Sequence, residues 1–328
     1  MKKFIIKIIG LTIVLVLSAL GLDIAVSKGL RKNETKLFST MTKAYQGKIN
    51  ADLIVNGSSK AFVQVSPQIL DSIIGIDSYN LGLDGSPFIP QKALFELYKL
   101  NNKKPKVIVQ VVSNGTLRSL DDGFLNPIKF APYLNIPVIK KHMILTSSFD
   151  YLDYNIPLFR FSGKPFETIT GILSLFNVNL FKEIGNKGYY PNDKYWSENV
   201  NKKTNISDNQ VVDTENISEI KEFTSLDSTS CELFEDFLSQ CKLNNILVIL
   251  VYPPIYSEAS NTIKNIDYYN EVAQEYNAYF LNYARDSSLV FNREYFYNSQ
   301  HLNTNGARLF TTKLAEDVKA RTHNILYK

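Results

Sequence analysis

Residues 51–60 read ADLIVNGSSK: an apolar, β-branched run that ends in Asn56 and Gly57 and then presents two serines and a lysine. Runs of the same kind stand at 73–79 (IIGIDSY), 106–112 (KVIVQVV), 246–252 (ILVILVY) and 278–283 (AYFLNY). Their apolar residues are consecutive rather than alternating, the pattern of strands covered on both faces. Helical spacing lies near 66–74, 90–101, 227–244, 260–276 and 305–321. The order β-α-β-α-β, an interruption, then α-β-α-β-α predicts an α/β protein of three layers, α/β/α, with a parallel five-stranded sheet.

The interruption, about 115–226, follows the third strand and is too long for a bare loop. It holds aromatic pieces with Pro or Gly (FAPYLNIP, NIPLFRFSGKP, NKGYYPNDKYW) and ends in a polar tract, SENVNKKTNISDNQVVDTENISE. It reads as an inserted cap subdomain followed by a mobile linker, within a domain spanning 49–328.

At the N-terminus, Phe4 to Leu22 is interrupted only by Lys7, Thr12 and Ser18. That matches the roughly 20 apolar residues that cross a bilayer as a helix. Residues 1–24 are therefore expected to be a single-pass signal anchor, with Ala19-Leu20-Gly21 a weak cleavage pattern behind it. Lys2 and Lys3 place the N-terminus in the cytoplasm by the positive-inside rule. The body is then extracytoplasmic, periplasmic or at the cell surface. Residues 25–48 read as a juxtamembrane stalk.

The 328 residues carry 36 basic and 32 acidic side chains, interspersed, for a net charge of +4. No basic stripe is present, so nucleic acid is not an expected partner. Cys231 and Cys241 lie ten residues apart in a helical segment, roughly 15 Å along its axis. That separation is too great for a disulfide, so two free thiols are expected. With only three histidines and no second cysteine or histidine at ligand spacing, neither a metal site nor a cofactor is expected.

Ligands of an open parallel sheet bind beyond the carboxyl ends of its strands. Those ends are followed here by Asn56-Gly57-Ser58-Ser59-Lys60, Asn80-Leu81-Gly82-Leu83-Asp84-Gly85, Ser113-Asn114-Gly115, Pro253-Pro254 and, farther on, Asn298-Ser299-Gln300-His301-Leu302-Asn303. A serine hydroxyl needs a neighbouring base to attack a carbonyl carbon. It also needs donors for the oxyanion, which N–H groups in a tight turn and an asparagine amide supply. A helix opening near Lys60 turns its free N–H groups toward Ser59. His142 and His323 lie away from the strand ends and read as surface or supporting residues. Of the aromatic residues, Tyr189, Tyr190, Tyr195 and Trp196 are candidates for stacking on sugar.

Asn56-Gly57-Ser58-Ser59, Asn80-Leu81-Gly82, and Asn298 through Asn303 with Gly306 resemble the conserved blocks of the SGNH (GDSL-like) hydrolase superfamily. The likeness is greatest to its membrane-anchored extracytoplasmic branch, which includes DltD-like proteins and acyltransferases that decorate surface polysaccharides. It covers most of 50–115 and 245–320. It implies a flavodoxin-like sheet, Ser59 as nucleophile and His301 as base. It also implies Ser59, Gly82 and Asn114 as oxyanion donors, although the family's Gly-x-Asn-Asp pattern is absent around Asn114. Asn298 stands where the family has the Asp that orients the histidine. In serine proteases that change costs about 10⁴-fold in kcat. The site is then a slower Ser-His dyad, one whose acid comes from elsewhere, with Asp84, Asp286 and Glu294 as the candidates, or one that has lost catalysis.

The expected function is therefore that of a serine acyl esterase or O-acyltransferase acting on a cell-envelope or exported polysaccharide, with Asn80, Tyr195 and Trp196 touching substrate. The rival is a non-catalytic, glycan-binding accessory protein that works with a membrane-bound O-acyltransferase.

Overall fold

The computed structural model describes the chain except residues 122, 179–185, 197–224, 260–262, 264 and 327–328, and the side chains of 323 and 324. The polar tract read as a linker and the side chain of His323 thus lie outside the described residues. Five strands, β1 (Leu53–Asn56), β2 (Ser78–Asn80), β3 (Val107–Val111), β4 (Leu247–Tyr252) and β5 (Tyr279–Asn282), form one all-parallel sheet in the order β2-β1-β3-β4-β5. The order in which successive strands join the sheet reverses at β1, whose parallel neighbours are β2 on one side and β3 on the other. A ligand crevice forms at such a switch point.

Consecutive apolar residues of one strand enter opposite cores, which is why the runs are unbroken in sequence. Ile54 and Ile108 face a cluster with Phe88, Phe95, Phe234 and Tyr269, on α5 (Phe88–Asn101), α9 (Ser228–Leu243) and α10 (Ile266–Glu275). Leu53, Val55, Val107 and Val109 face Leu70, Phe310 and Leu314, on α4 (Pro67–Ile74) and α11 (Thr304–Leu326). Cys231 and Cys241, both in α9, are free thiols.

The first helix, α1 (Lys2–Leu30), is long and apolar enough to cross a membrane. Residues 25–48 do not form a stalk. Val26 and Leu30 are fully buried with Phe38, Ile128 and Phe161, and Met41 and Ala44 in α2 (Ser39–Tyr45) join the core beside α5. The partners of this segment come largely from the long insertion, so its own spacing does not reveal that it is covered.

Described parts of the insertion do two different things. Its first part, with α6 (Pro137–Met143), α7 (Tyr151–Asn155) and α8 (Pro165–Leu175), packs against α5 and α1. Residues 186–196 run as a strap past the carboxyl end of β2, hydrogen-bonding through Lys187 O to Asn80 N, Tyr190 N to Phe62 O and Trp196 N to Phe296 O.

Candidate active site

Ser59 opens the short helix α3 (Ser59–Gln64), reached from β1 through a turn at Gly57 with φ of 153°. A Cβ at Gly57 would press on Val111 and Ala61 at under 3 Å, so glycine lets the turn lie against β3. The N–H of Ser59 has no partner among the described residues, as expected for the first residue of a helix. Across from it, β6 (Phe296–Asn298) and β7 (His301–Leu302) form an antiparallel hairpin. Asn303 accepts the Gly306 N–H and so caps α11, and it donates to Glu294 O, which fixes the hairpin on that helix.

These elements bring Ser59 Oγ to 2.7 Å from His301 Nε2, and His301 Nδ1 to 3.0 Å from Asn298 Oδ1. The same Oδ1 accepts the backbone N–H groups of Gln300 and His301, both at 2.9 Å. Two donors that cannot change role hold the amide oxygen toward the ring, so the network assigns the proton to Nδ1. Nε2 is left to accept the Ser59 hydroxyl proton. Burial, assisted by the Lys60 ammonium, holds His301 down to about 3, and it is therefore neutral at pH 7. Asp84, Asp286 and Glu294 are not among the charges that reach it. Asp286 is instead paired with Lys313.

Two expected oxyanion donors are already engaged. Gly82 donates its N–H to Asn80 Oδ1 at 2.7 Å, a side-chain turn of the kind Asn makes with the residue two ahead. Asn80 itself is fully buried and donates to Ala61 O and Val65 O at 2.7 and 2.8 Å. It therefore positions α3 and the loop after β2; its satisfied amide leaves no group for substrate. Asn114 directs Nδ2 toward Glu258 Oε1 at 3.4 Å, and Tyr252 donates to Glu258 Oε2 at 2.6 Å. The carboxylate draws the donor end of Asn114 toward itself, and Asn114 Oδ1 is buried without a partner among the described residues.

Lys60, Tyr252 and Glu258 were not among the expected site residues. Lys60 follows Ser59 directly, and its ammonium is held below the ordinary lysine value by burial, against the pull of Glu258. Glu258 lies in a single helical turn, Tyr256–Glu258, beyond Pro253-Pro254. The adjacent lysine is a signal in the sequence; the distant glutamate has none. Ser257 accepts from Gln300 Nε2 at 2.7 Å, which ties this turn to the histidine hairpin.

Among the expected aromatic residues, Tyr189 and Tyr190 are buried, and Tyr190 stacks on Phe62 of α3 with ring centres 4.4 Å apart. Tyr195 is exposed and accepts a hydrogen bond from Asn305. Trp196 is half-buried, edge-on to Tyr256, with the Arg293 guanidinium 4.4 Å from its ring centre. Tyr195 is open to solvent, whereas Trp196 already carries a cation over one face. His142 is not a surface residue: it is 3% exposed, and its Nδ1 bonds Val138 O. Among the described residues, no group of three or more His, Cys, Asp or Glu is placed to hold a metal ion.

No family model and no curated protein matches the chain.

Proposed function

We propose that this protein is a serine acyl esterase or O-acyltransferase of SGNH type, anchored by α1, with its body on the extracytoplasmic side. The observation that carries the reading is the line Ser59 Oγ, His301 Nε2, His301 Nδ1, Asn298 Oδ1, with the tautomer fixed for proton abstraction from the serine. Its place, at the switch point of a parallel sheet, supports it further.

In the proposed reaction, Ser59 Oγ forms a bond to the acyl carbon as its proton passes to Nε2. The oxyanion meets the free N–H of Ser59. The leaving alkoxide takes the proton back from Nε2 and departs, leaving an acyl-serine that water or a sugar hydroxyl resolves by the same steps in reverse order. The imidazolium formed midway has a neutral amide on one side and Lys60 nearby, an environment that disfavours it. A slow enzyme is expected. An acylated cell-envelope polysaccharide is the substrate class that accords with an anchored, exported site.

The engaged donors of Gly82 and Asn114, together with the neutral Asn298, favour a second reading as a non-catalytic accessory protein, in which the site binds a glycan or supports a membrane-bound O-acyltransferase. Labelling of the full chain in detergent with a serine-directed fluorophosphonate separates the two. Labelling that disappears in Ser59→Ala and quickens in Asn298→Asp supports the enzyme. A folded protein that is not labelled even as Asn298→Asp belongs to the second reading.

A further inference from the structure

The eleven residues of α8 are arranged inside out for a helix facing water. Its buried positions are Thr170, Gly171 and Ser174, small or polar, whereas Phe166 and Ile169 are more than half exposed and Phe176, at its C-cap, is 74% exposed. These exposed residues recur at i, i+3 and i+10, with half-buried Leu173 between them, and so form one stripe along the helix. A helix on a water-facing surface turns its apolar stripe inward. Here the inward face is the small one, because α8 meets α1 at a close crossing: a Cβ on Gly29 would overlap the Gly171 carbonyl oxygen.

That crossing also fixes how far α8 lies from the exposed end of α1. From Lys2 to Leu22 the helix is exposed throughout, apart from half-buried Ala19, a length of about 30 Å, equal to a bilayer's hydrocarbon core. Burial begins at Asp23, which pairs with Arg160 of the insertion. The stretch from Asp23 to Leu30 rises only about 10 Å. Whatever packs on it therefore lies at or just beyond the headgroup layer, which is roughly 5–8 Å deep on each side. Lys28 on α1 and Lys164, the N-cap of α8, are both exposed. They suit lipid phosphates.

We propose that α8 is a second membrane contact, lying in the outer lipid interface with Phe166, Ile169 and Phe176 against the headgroup end of the acyl chains. The proposal rests on the reading that α1 spans a bilayer, and the test separates the two.

The full chain, with Cys231→Ser, is reconstituted in nanodiscs of anionic phospholipid and spin-labelled singly at Phe166→Cys, Ile169→Cys or Phe176→Cys. Leu15→Cys in α1 and Leu243→Cys, exposed at the end of α9, serve as references. Collision rates with oxygen and with a water-soluble nickel chelate are compared. The expected result is an oxygen-dominated signal at Leu15, a nickel-dominated one at Leu243, and nickel collisions at 166, 169 and 176 several-fold below those at Leu243. Signals at 166, 169 and 176 equal to that at Leu243, with Leu15 oxygen-dominated, overturn the interface while leaving the span intact. A nickel-dominated Leu15 overturns both. Spin–spin broadening at these positions that disappears on dilution with unlabelled protein assigns the stripe to a second copy, and it too overturns the lipid contact.

Discussion

Asn298 Oδ1 accepts from His301 Nδ1 at 3.0 Å while held by two backbone N–H groups of its own turn, so an uncharged side chain does the orienting half of a carboxylate's work. The missing half is charge. Asn298→Asp supplies it without altering the turn, since a carboxylate oxygen accepts the same three bonds. An opposite charge at this range raises a histidine by about 1–3 pKa units. Fluorophosphonate labelling should quicken at least tenfold, and its acid limb should move up from about 3 by that interval. Rates measured across pH 3 to 8, a range chosen roughly to bracket the histidine, check both.

Lys60 acts on the same ring in the opposite sense. Lys60→Gln removes the cation that helps burial hold His301 down. The imidazole should then titrate at higher pH, still below the unperturbed value because burial, the larger cause, remains. A histidine-selective NMR titration reads this directly, and an unchanged titration would show that burial alone sets the value.

Acid should weaken the fold over a defined window. His301 and His142 are both held below the usual 6.5, chiefly by burial, and so bind protons less readily folded than unfolded. The unfolded chain takes up those protons first, so stability falls as pH drops below 6.5, and for His301 the loss continues to about 3. Thermal unfolding in detergent at successive pH values should show Tm declining through this range, less steeply in His142→Gln.

Asn80→Ala leaves Val65 O and the Gly82 N–H without their partner, while Ala61 O keeps the Val65 N–H. Each buried group so orphaned costs about 1–3 kcal/mol. A Tm lower by roughly 5 °C or more is expected. Asn80 hydrogen-bonds neither Ser59 nor His301 among the described residues, so the protein that remains folded should still be labelled.

Gly29→Val should separate α1 from α8, because even a Cβ overlaps the Gly171 carbonyl. Gly21→Val adds the same side chain eight residues earlier, where nothing lies within 4 Å. Only the first should lower Tm.

Four of the five strands were legible because burial on both faces leaves unbroken apolar runs, whereas the run read at 73–79 closes α4 and only its Ser78 and Tyr79 enter β2. Ser59 and His301 were legible for a related reason: the carboxyl ends of such strands are where side chains can converge. Asn80 shows where this stops. Its identity suits a donor to substrate as well as it suits a clamp, and only the carbonyls of α3, some fifteen to nineteen residues away, decide between them. Gly82 fails as an open oxyanion donor for the same reason. Glu258 is silent in sequence because a carboxylate after a strand means nothing until Tyr252 and Asn114 are seen around it. The stalk reading of 25–48 failed because Val26, Leu30 and Phe38 find Ile128 and Phe161 some ninety residues or more along the chain.

Because α1 runs unbroken from its exposed part into the core, the chain has a natural shortest form. Removal of residues through Gly21, as by a processing cut behind Ala19-Leu20-Gly21, would leave Asp23, Val26 and Leu30 in place and Arg160 still paired. A start at residue 30 would strip Asp23 and Val26 and leave the Arg160 guanidinium buried without its carboxylate. A released or recombinant soluble form of this protein that keeps this pair therefore begins no later than Asp23.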